Sequence, residues 1–205
     1  MLNIMRGADE TAEPLLEEAI RITTEQKFPL WLAIANGLRG DLLAKRHRRQ
    51  EGVALARQGL AQQRATRSTV WQMCYLSLLA QSCEAVGEAD EALQALTCGL
   101  AKVDRTGERC FEAELHRQKG EWIIAYRREQ QAEAETCFHR AIEIARSQRA
   151  KMWELRAATS LAQLWRDQGR RAEAHALLAP INDWFTEGFD TTDLRQAKAL
   201  LDELG

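Results

Sequence analysis

The apolar positions of this chain recur at a helical spacing, and small residues alternate with large ones along the same face. In most repeats a large residue follows the small one by four positions, and a second small residue follows three positions later, so all three share one helix face. The run Ala134, Phe138 and Ala141 shows this pattern in full. No stretch shows the strict alternation of a half-buried strand. The pattern predicts an all-α chain.

The same pattern returns with a period near 40 residues. The aromatic anchors of the repeat are separated by 40, 40 and 42 positions, and they are Trp31, Trp71, Phe111 and Trp153. Nine positions after each anchor stands a small residue, in turn Gly40, Ala80, Gly120 and Ala162. Small residues in mid-helix let a second helix approach to about 8–10 Å between axes. We therefore expect the aromatic column to be core and the helical glycines Gly40, Gly59, Gly99 and Gly120 to mark tight contacts.

Register and turn signals together predict nine or ten helices. Their approximate ranges are 9–25, 30–46, 49–65, 69–86, 88–104, 108–127, 129–148, 151–168, 171–179 and 191–203. The helix stops carry Pro29, Gly87, Gly107 and Gly169, as expected of chain turns. We expect one repeat array over residues 1–205. It consists of an unpartnered second helix at 9–25, repeats at about 30–65, 69–104, 108–148 and 151–179, and a capping segment at 181–205.

The small-residue spacing resembles the tetratricopeptide repeat, or TPR. In that family small residues stand 12 apart across a helix pair, as Gly40 and Gly52 or Ala80 and Ala92 do here. The period is longer than the family's 34 residues, the closing proline is absent, and the aromatic anchor lies nine rather than four positions before the small residue. The resemblance implies a right-handed α-solenoid of TPR-like helix pairs with long helices.

The register makes the helix around Ala12 the second member of a pair, and only MLNIMRGADE precedes that helix. Repeats cannot bury their faces alone. We therefore expect a chain that begins in mid-array, as a C-terminal piece of a longer protein would. A dimer formed through the open N-terminal end is the other expectation.

Three segments resemble a recurrent bacterial family of signalling proteins. They are Glu114–Trp122, Ala134–Arg170 and Ala179–Leu204. The family carries a class III adenylate/guanylate cyclase domain, a predicted ATPase domain and a C-terminal TPR array. The resemblance implies a cytoplasmic sensory or docking module that acts with upstream ATPase or cyclase domains and has no cyclase activity of its own.

Composition and motifs narrow the classes of function. The net charge of −2 favours neither nucleic acid nor an anionic membrane, and no apolar run reaches transmembrane length. Five cysteines without C-x-x-C spacing favour a reduced chain, and Cys83 falls in a packing column. The chain has no P-loop, H-E-x-x-H or G-x-S-x-G motif, and no two of its four histidines fall in the same predicted helix. We expect no enzyme activity, no cofactor and no metal.

The remaining candidate site is a polar stripe on the first helix of each pair. In TPR arrays these helices line the concave surface, so the resemblance implies an exposed partner groove. Its predicted residues are Asp41, Gln81, Glu121 and Gln163, flanked by Glu114, Arg117, Arg156 and Arg166. Mixed charge suits a protein or peptide partner held by charge-assisted hydrogen bonds. The alternative function is a small-molecule sensor like the helical-repeat regions of transcription activators, which requires an apolar pocket between helices.

Overall fold

The computed structural model describes residues 9–46, 48–68 and 71–205. Over these ranges the chain is helical and contains no strand, which confirms the all-α prediction. The helices are α1 (Asp9–Glu25), α2 (Pro29–Lys45), α3 (Arg49–Ala65), α4 (Gln72–Ala85), α5 (Ala89–Thr106), α6 (Glu112–Tyr126), α7 (Gln131–Ser147), α8 (Lys151–Asp167), α9 (Arg171–Asn182) and α10 (Thr192–Leu204), with a 3-10 turn at Arg128–Gln130 before α7. None of the helices in the described ranges is both long and apolar enough to cross a membrane.

Most helices begin and end close to their predicted positions, because nearby proline and glycine residues determine where a helix starts or stops. Pro29 opens α2, where its missing N–H costs nothing. Gly87, Gly107 and Gly169 follow α4, α5 and α8 with positive φ angles of 81°, 70° and 80°, a backbone conformation that glycine adopts without strain. The largest differences are the later starts of α4 and α6 and the extension of α9 through Pro180 to Asn182.

The helices form two compact units, one ending at Phe111 and the other spanning Glu112–Gly205. In the first unit α2 contacts both α3 and α4, and α3 and α4 contact each other. A Cβ atom added to Gly40 would lie 2.7 Å from the carbonyl oxygen of Gly52, and one added to Gly59 would lie 2.8 Å from the backbone nitrogen of Gly37. The helices α2 and α3 therefore meet backbone to backbone, as the glycine columns predict.

The second unit repeats the three-helix arrangement twice. Helix α6 contacts α7 and α8, which contact each other, and α8 in turn contacts α9 and α10. Here a large side chain fills the space beside a glycine: a Cβ atom on Gly120 would lie 2.5 Å from the ring of Phe138. The side chains of Phe138, Ala141 and Leu178 are buried. The division of the chain into one array of four repeats remains a prediction.

The structure buries most of the columns that the sequence singles out. Ala80, Ala92 and Leu96 have relative exposures of 1% or less, and Cys83 is buried as predicted. The core prediction for the aromatic column is wrong at Trp31, which is 58% exposed. No described helix lies over this side of α1 and α2, so the ring has no packing partner across its outer face.

Candidate functional site

Four of the eight residues predicted for the partner groove lie together in the second unit. Arg117 donates two hydrogen bonds to the Glu114 carboxylate, at 2.8 and 2.7 Å, and also pairs with Glu121. Arg156 of α8 lies 3.6 Å from Glu114 and donates to both carboxylate oxygens of Asp193 on α10, at 2.9 Å each. We call these residues, with Ser160, the α6–α8–α10 charge cluster. Ser160 of α8 joins it by donating to the Glu121 carboxylate at 2.9 Å.

Because several of its charged groups are buried, the cluster stabilises the packing of helices in addition to forming part of a polar surface. Burial alone would raise the pKa of Glu114, but the charges of Arg117 and Arg156 and the hydrogen bonds from Arg117 outweigh it and hold that pKa below its usual range. A buried carboxylate that lost these partners would be costly. The cluster therefore ties three helices together, and its most exposed carboxylate is Glu121.

The exposure predicted for two groove residues is wrong. Glu114 is buried against its two arginines, and Asp41 of α2 is buried and accepts a hydrogen bond from Lys45 Nζ at 2.6 Å. Both carboxylates satisfy neighbouring cations instead of facing solvent. The sequence stripe does not reveal the burial of Glu114, because one of its two arginine partners, Arg156, belongs to another helix.

The other predicted groove residues are more accessible. Gln81 is half-buried in the first unit, Gln163 is exposed on α8, and Arg166 pairs with Asp167 and with Glu203 of α10. A role in partner binding for any of the eight residues remains a prediction. His47 and the middle of the basic run at 45–49 lie outside the described residues.

One group of metal-ligand side chains comes together within the described part of the chain. Single ligand atoms of Cys83, Glu88 and Glu91 lie within 4.8 Å of one another. Arg57 occupies both carboxylates and lowers the pKa of Glu91, while burial raises the pKa of the Cys83 thiol to about 12. A metal ion would have to displace the guanidinium and ionise a buried thiol, so the geometry is that of an ion pair beside a packed cysteine.

An apolar groove lies between α1 and α2 in the first unit, with a volume of about 500 Å³. We call it the α1–α2 groove. It is lined by Ala12, Leu15, Leu16, Ala19, Ile22, Thr23, Trp31, Ile34, Ala35, Leu38 and Trp71. Leu15, Ile22 and Trp31 are exposed, as is Phe28 at the turn between the two helices. Leu15, Ile22 and Trp31 thus share one exposed apolar lining, and apolar patches of this kind commonly mark interaction sites.

The aromatic residues at the equivalent positions of the other repeats pack against neighbouring side chains, whereas the Trp31 ring is exposed. Trp71 and Phe111 pack edge to face with ring centroids 6.3 Å apart, and Trp153 packs against a buried cluster that includes Ala113 and Ile144. The sequence interpretation missed the groove because it treated Trp31 as a core residue like the rest of its column. The signal that could have found it was the helix register, which predicts that α1 is the second helix of a pair.

The groove offers almost no polar chemistry. Its one hydroxyl group belongs to Thr23, which already donates to the backbone carbonyl oxygen of Ala19 at 2.7 Å. No charged side chain lines it among the described residues. Helix α1 has six acidic residues and one arginine, a net charge of −5, and its Glu13 pairs with Arg46 beyond the end of α2. Arg21 pairs with Glu18 and Glu25 on this helix.

No protein-family model and no curated protein sequence matches the chain. Two crystal structures of nearly identical TPR-like repeats of a kinesin light chain-like protein from Podosopora anserina do match it, each at 20% identity. One match covers 88% of both chains with a TM-score of 0.59, and the other covers 98% of this chain and 90% of the other with a TM-score of 0.57.

The fold is that of TPR-like repeat proteins. This confirms the fold class predicted from the small-residue columns. At this identity the likeness establishes the TPR-like fold alone, so the function must come from the surfaces of this chain. Those surfaces are the α6–α8–α10 charge cluster, whose groups largely satisfy one another, and the α1–α2 groove, whose apolar groups do not.

Proposed function

We propose that this chain is a non-enzymatic protein-interaction module that binds a polypeptide partner through the α1–α2 groove. The observation that carries the proposal is the exposed apolar surface formed by Leu15, Ile22 and Trp31 on a TPR-like fold. Fully burying one such side chain gains about 1.5–3 kcal/mol, so a partner that covers all three gains a substantial binding energy. Aromatic anchors in pockets of this kind commonly dominate binding.

Partner capture by groove variants tests this function. The full chain is immobilised and incubated with an extract of the organism that encodes it, and bound proteins are quantified for the parent, Leu15→Glu and Phe189→Glu. Leu15 and Phe189 are both 60% exposed, but Phe189 lies in the second unit between α9 and α10, outside the groove. We expect a partner that is retained by Phe189→Glu and lost with Leu15→Glu. The proposal is contradicted if the captured partners still bind the Leu15→Glu variant. It is also contradicted if the chain turns over nucleotide and loses that activity with one substitution.

The narrower hypothesis is that the module is the sensory or docking part of a bacterial cyclase/ATPase signalling protein. It is supported by the sequence resemblance of Ala134–Arg170 and Ala179–Leu204 to the C-terminal arrays of that family. In this role the module acts in the cytoplasm on a linked ATPase or cyclase. Sequencing the DNA upstream of the Met1 codon tests it: an in-frame ATPase or cyclase region supports the hypothesis, and a stop codon directly upstream rejects the linked form.

A small-molecule sensor is the second candidate function. A groove of about 500 Å³ is within the range that holds drug-sized ligands. A ligand that binds the folded chain alone raises its melting temperature. A thermal-shift screen of apolar metabolites checks this candidate, and stabilisation that disappears in Leu15→Glu would favour it over a polypeptide partner.

A further inference from the structure

A second pocket lies in the first unit, apart from the α1–α2 groove. It has a volume of about 260 Å³, and side chains of α3, α4 and α5 line it. We call it the α3–α5 pocket. We propose that it binds a compact organic carboxylate, whose apolar part packs against α4 and whose carboxylate pairs with Arg64. The pocket shares no lining residue with the α1–α2 groove, so this site is additional to the polypeptide-binding function proposed above.

The floor of the α3–α5 pocket is apolar. Four buried residues form it, each with a relative exposure of 5% or less, and they are Leu60, Leu76, Leu79 and Ala95. An apolar cavity of about 150 Å³ holds a benzene molecule, whereas drug-sized ligands occupy about 300–1,000 Å³. The volume of about 260 Å³ therefore suits a single ring or a branched chain of similar size.

The two ends of the pocket differ, because α3 and α5 run side by side. Both helices pack against α4 and are joined to it by short connections, so both run antiparallel to α4 and parallel to each other. At one end Arg57 of α3 pairs with Glu91 of α5. Arg64 and Cys98 line the pocket about 10 Å further along their helices, at 1.5 Å per residue. They therefore lie at the other end.

The charges at the Arg57 end satisfy one another. The Arg57 guanidinium contacts the carboxylates of Glu88 and Glu91, and it holds the pKa of Glu91 below its usual range. Two carboxylates around one guanidinium leave this end with a net negative charge. A ligand carboxylate is therefore repelled from the Arg57 end and directed to the opposite end of the pocket.

Arg64 provides a positive charge at that opposite end. Its side chain is exposed, and it makes no ion pair with any residue in the described ranges 9–46, 48–68 and 71–205. A guanidinium binds a carboxylate through two parallel N–H···O hydrogen bonds. Leu60 of the apolar floor lies one helical turn before Arg64 on α3. A ligand that carries one carboxylate beside one apolar group can therefore contact both residues at once.

The second unit has an arginine at the equivalent position, and there a carboxylate of the protein binds it. Arg146 lies 82 positions after Arg64, the offset that also relates the last aromatic anchors of the two units, and its guanidinium donates to the Glu154 carboxylate at 2.8 Å. The residue 82 positions before Glu154 is Gln72, an uncharged amide. The first unit therefore keeps the arginine and lacks the acidic residue. A ligand carboxylate would supply the missing counter-ion.

Fluorine NMR of the full chain tests the pocket with two matched probes. The first is 4-fluorophenylacetate, which has one ring and one carboxylate, and the second is 4-fluorophenylacetamide, in which a neutral amide replaces the carboxylate. Titration of each probe to about 10 mM covers the weak affinities expected of so small a ligand. We expect the carboxylate to bind at least about fivefold more tightly than the amide. Absence of carboxylate binding over this range would overturn the proposal.

Two pairs of variants locate the site. Arg64→Gln should weaken the carboxylate at least about fivefold and leave the amide within about twofold, because it removes the charge interaction alone. Arg105→Gln is the control, since Arg105 is exposed on α5 and lies outside the pocket. Ala61→Phe should fill the pocket and abolish binding of both probes. Ala101→Phe, 40 positions later on α5 and also exposed, should leave binding unchanged.

The Cys98 thiol reports occupation of the pocket without any substitution. Cys98 lines the pocket and is half-buried, whereas Cys110 is exposed outside it. At about three times its dissociation constant, 4-fluorophenylacetate should slow alkylation of Cys98 about fourfold and leave that of Cys110 unchanged. Mass spectrometry of the labelled peptides measures both rates. Circular dichroism of each variant establishes that its helices are intact.

Several results would reject the proposed site. Equal affinity for the acid and the amide, or an affinity for the acid that Arg64→Gln leaves unchanged, would remove Arg64 from it. Binding that leaves Cys98 alkylation unchanged would place the probe elsewhere. If Leu15→Glu abolishes probe binding and Ala61→Phe does not, the probe occupies the α1–α2 groove. Failure of the carboxylate site leaves the polypeptide-binding proposal standing, because partner capture depends on Leu15 and not on Arg64.

Discussion

Gly40 of α2 and Gly52 of α3 face each other at backbone contact. A Cβ atom on Gly40 would lie 2.7 Å from the carbonyl oxygen of Gly52, and one on Gly52 would lie 2.6 Å from the carbonyl oxygen of Gly40. The 12-residue spacing seen in the sequence is thus the signature of two helices that touch without intervening side chains. It gives the first unit its tightest helix contact and leads to a direct prediction.

Replacing Gly40 by alanine should destabilise the chain. Alanine favours a helix by about 1 kcal/mol over glycine, but here the added methyl group meets backbone atoms that cannot rotate away. We expect a net loss of about 2 kcal/mol in the free energy of unfolding, measured by urea titration. Gly37→Ala is the matched control in the same helix, since its Cβ would meet only the Tyr75 ring at 3.0 Å. A Gly40→Ala chain more stable than Gly37→Ala would refute the backbone contact.

Substitutions at Gly120 and Phe138 should compensate for each other in the free energy of unfolding. The Gly120→Ala change places a methyl group 2.5 Å from the Phe138 ring, so we expect it to cost about 2 kcal/mol. Phe138→Leu removes Cε1 and Cζ, two of the three ring atoms nearest that methyl group, and the double variant should be more stable than the sum of the two single changes by at least about 1 kcal/mol. The readout is a double-mutant cycle of unfolding free energies. Simple additivity would mean that the methyl group and the ring do not meet.

The charge on Glu114 should make the stability of the second unit sensitive to acid. Its pKa lies below the ordinary value of 4.5 in the folded chain, so its contribution is present above about that pH and declines as the pH falls through the folded pKa. Glu114→Gln should cost about 3 kcal/mol at pH 7, because it leaves two arginines short of a buried partner.

The free energy of unfolding, measured for the parent chain and for Glu114→Gln at pH 7 and at pH 3, checks this predicted pH dependence. The difference between them should shrink at the lower pH, because below about pH 4.5 the unfolded parent chain takes up a proton on Glu114 more readily than the folded chain does. Glu143→Gln is the control, since Glu143 is exposed on α7 and should change stability by less than about 0.5 kcal/mol. A difference that grows with acid would contradict the assigned role of Glu114.

The cysteines should differ sharply in reactivity. Burial raises the pKa of both Cys74 and Cys83 to about 12. Partial burial of the thiol and the nearby Glu108 also raise the pKa of Cys110, but that residue is exposed before α6 and a reagent can reach it. At pH 8 a thiol reagent should modify Cys110 first, and the buried thiols should react only at the rate of unfolding. The fast phase should disappear in Cys110→Ser and persist in Cys98→Ser. Modification of Cys83 in the native chain at the rate of Cys110 would disagree with its packed position.

Local chemistry explains why the sequence predicted the helices and the glycine contacts well. Helix ends depend on nearby residues such as Pro29 and Gly107, and the small-residue columns depend on spacing within one helix pair. Both are visible in one stretch of sequence. The TPR-like fold follows from these columns, and the solved structures that match the chain confirm it.

Exposure was harder to predict, because it depends on elements distant in sequence. Glu114 is buried because Arg156 approaches it from another helix and is itself held by Asp193 of α10. Trp31 is exposed because no described helix covers the position that neighbouring first helices cover elsewhere. Both outcomes depend on which other helices pack beside the residue and not on the residue's own helix. Residues that share a column of the repeat can therefore lie in different environments, one buried and another exposed.

Amide hydrogen exchange with the captured polypeptide partner bound tests the central claim most directly. If the partner lies in the α1–α2 groove, protection should increase over Asp9–Glu25 and Pro29–Lys45 and stay unchanged over Arg171–Asn182 and Thr192–Leu204. Protection that rises in α9 and α10, or that leaves α1 and α2 unchanged while the partner is bound, would contradict the assignment of this groove as the partner site.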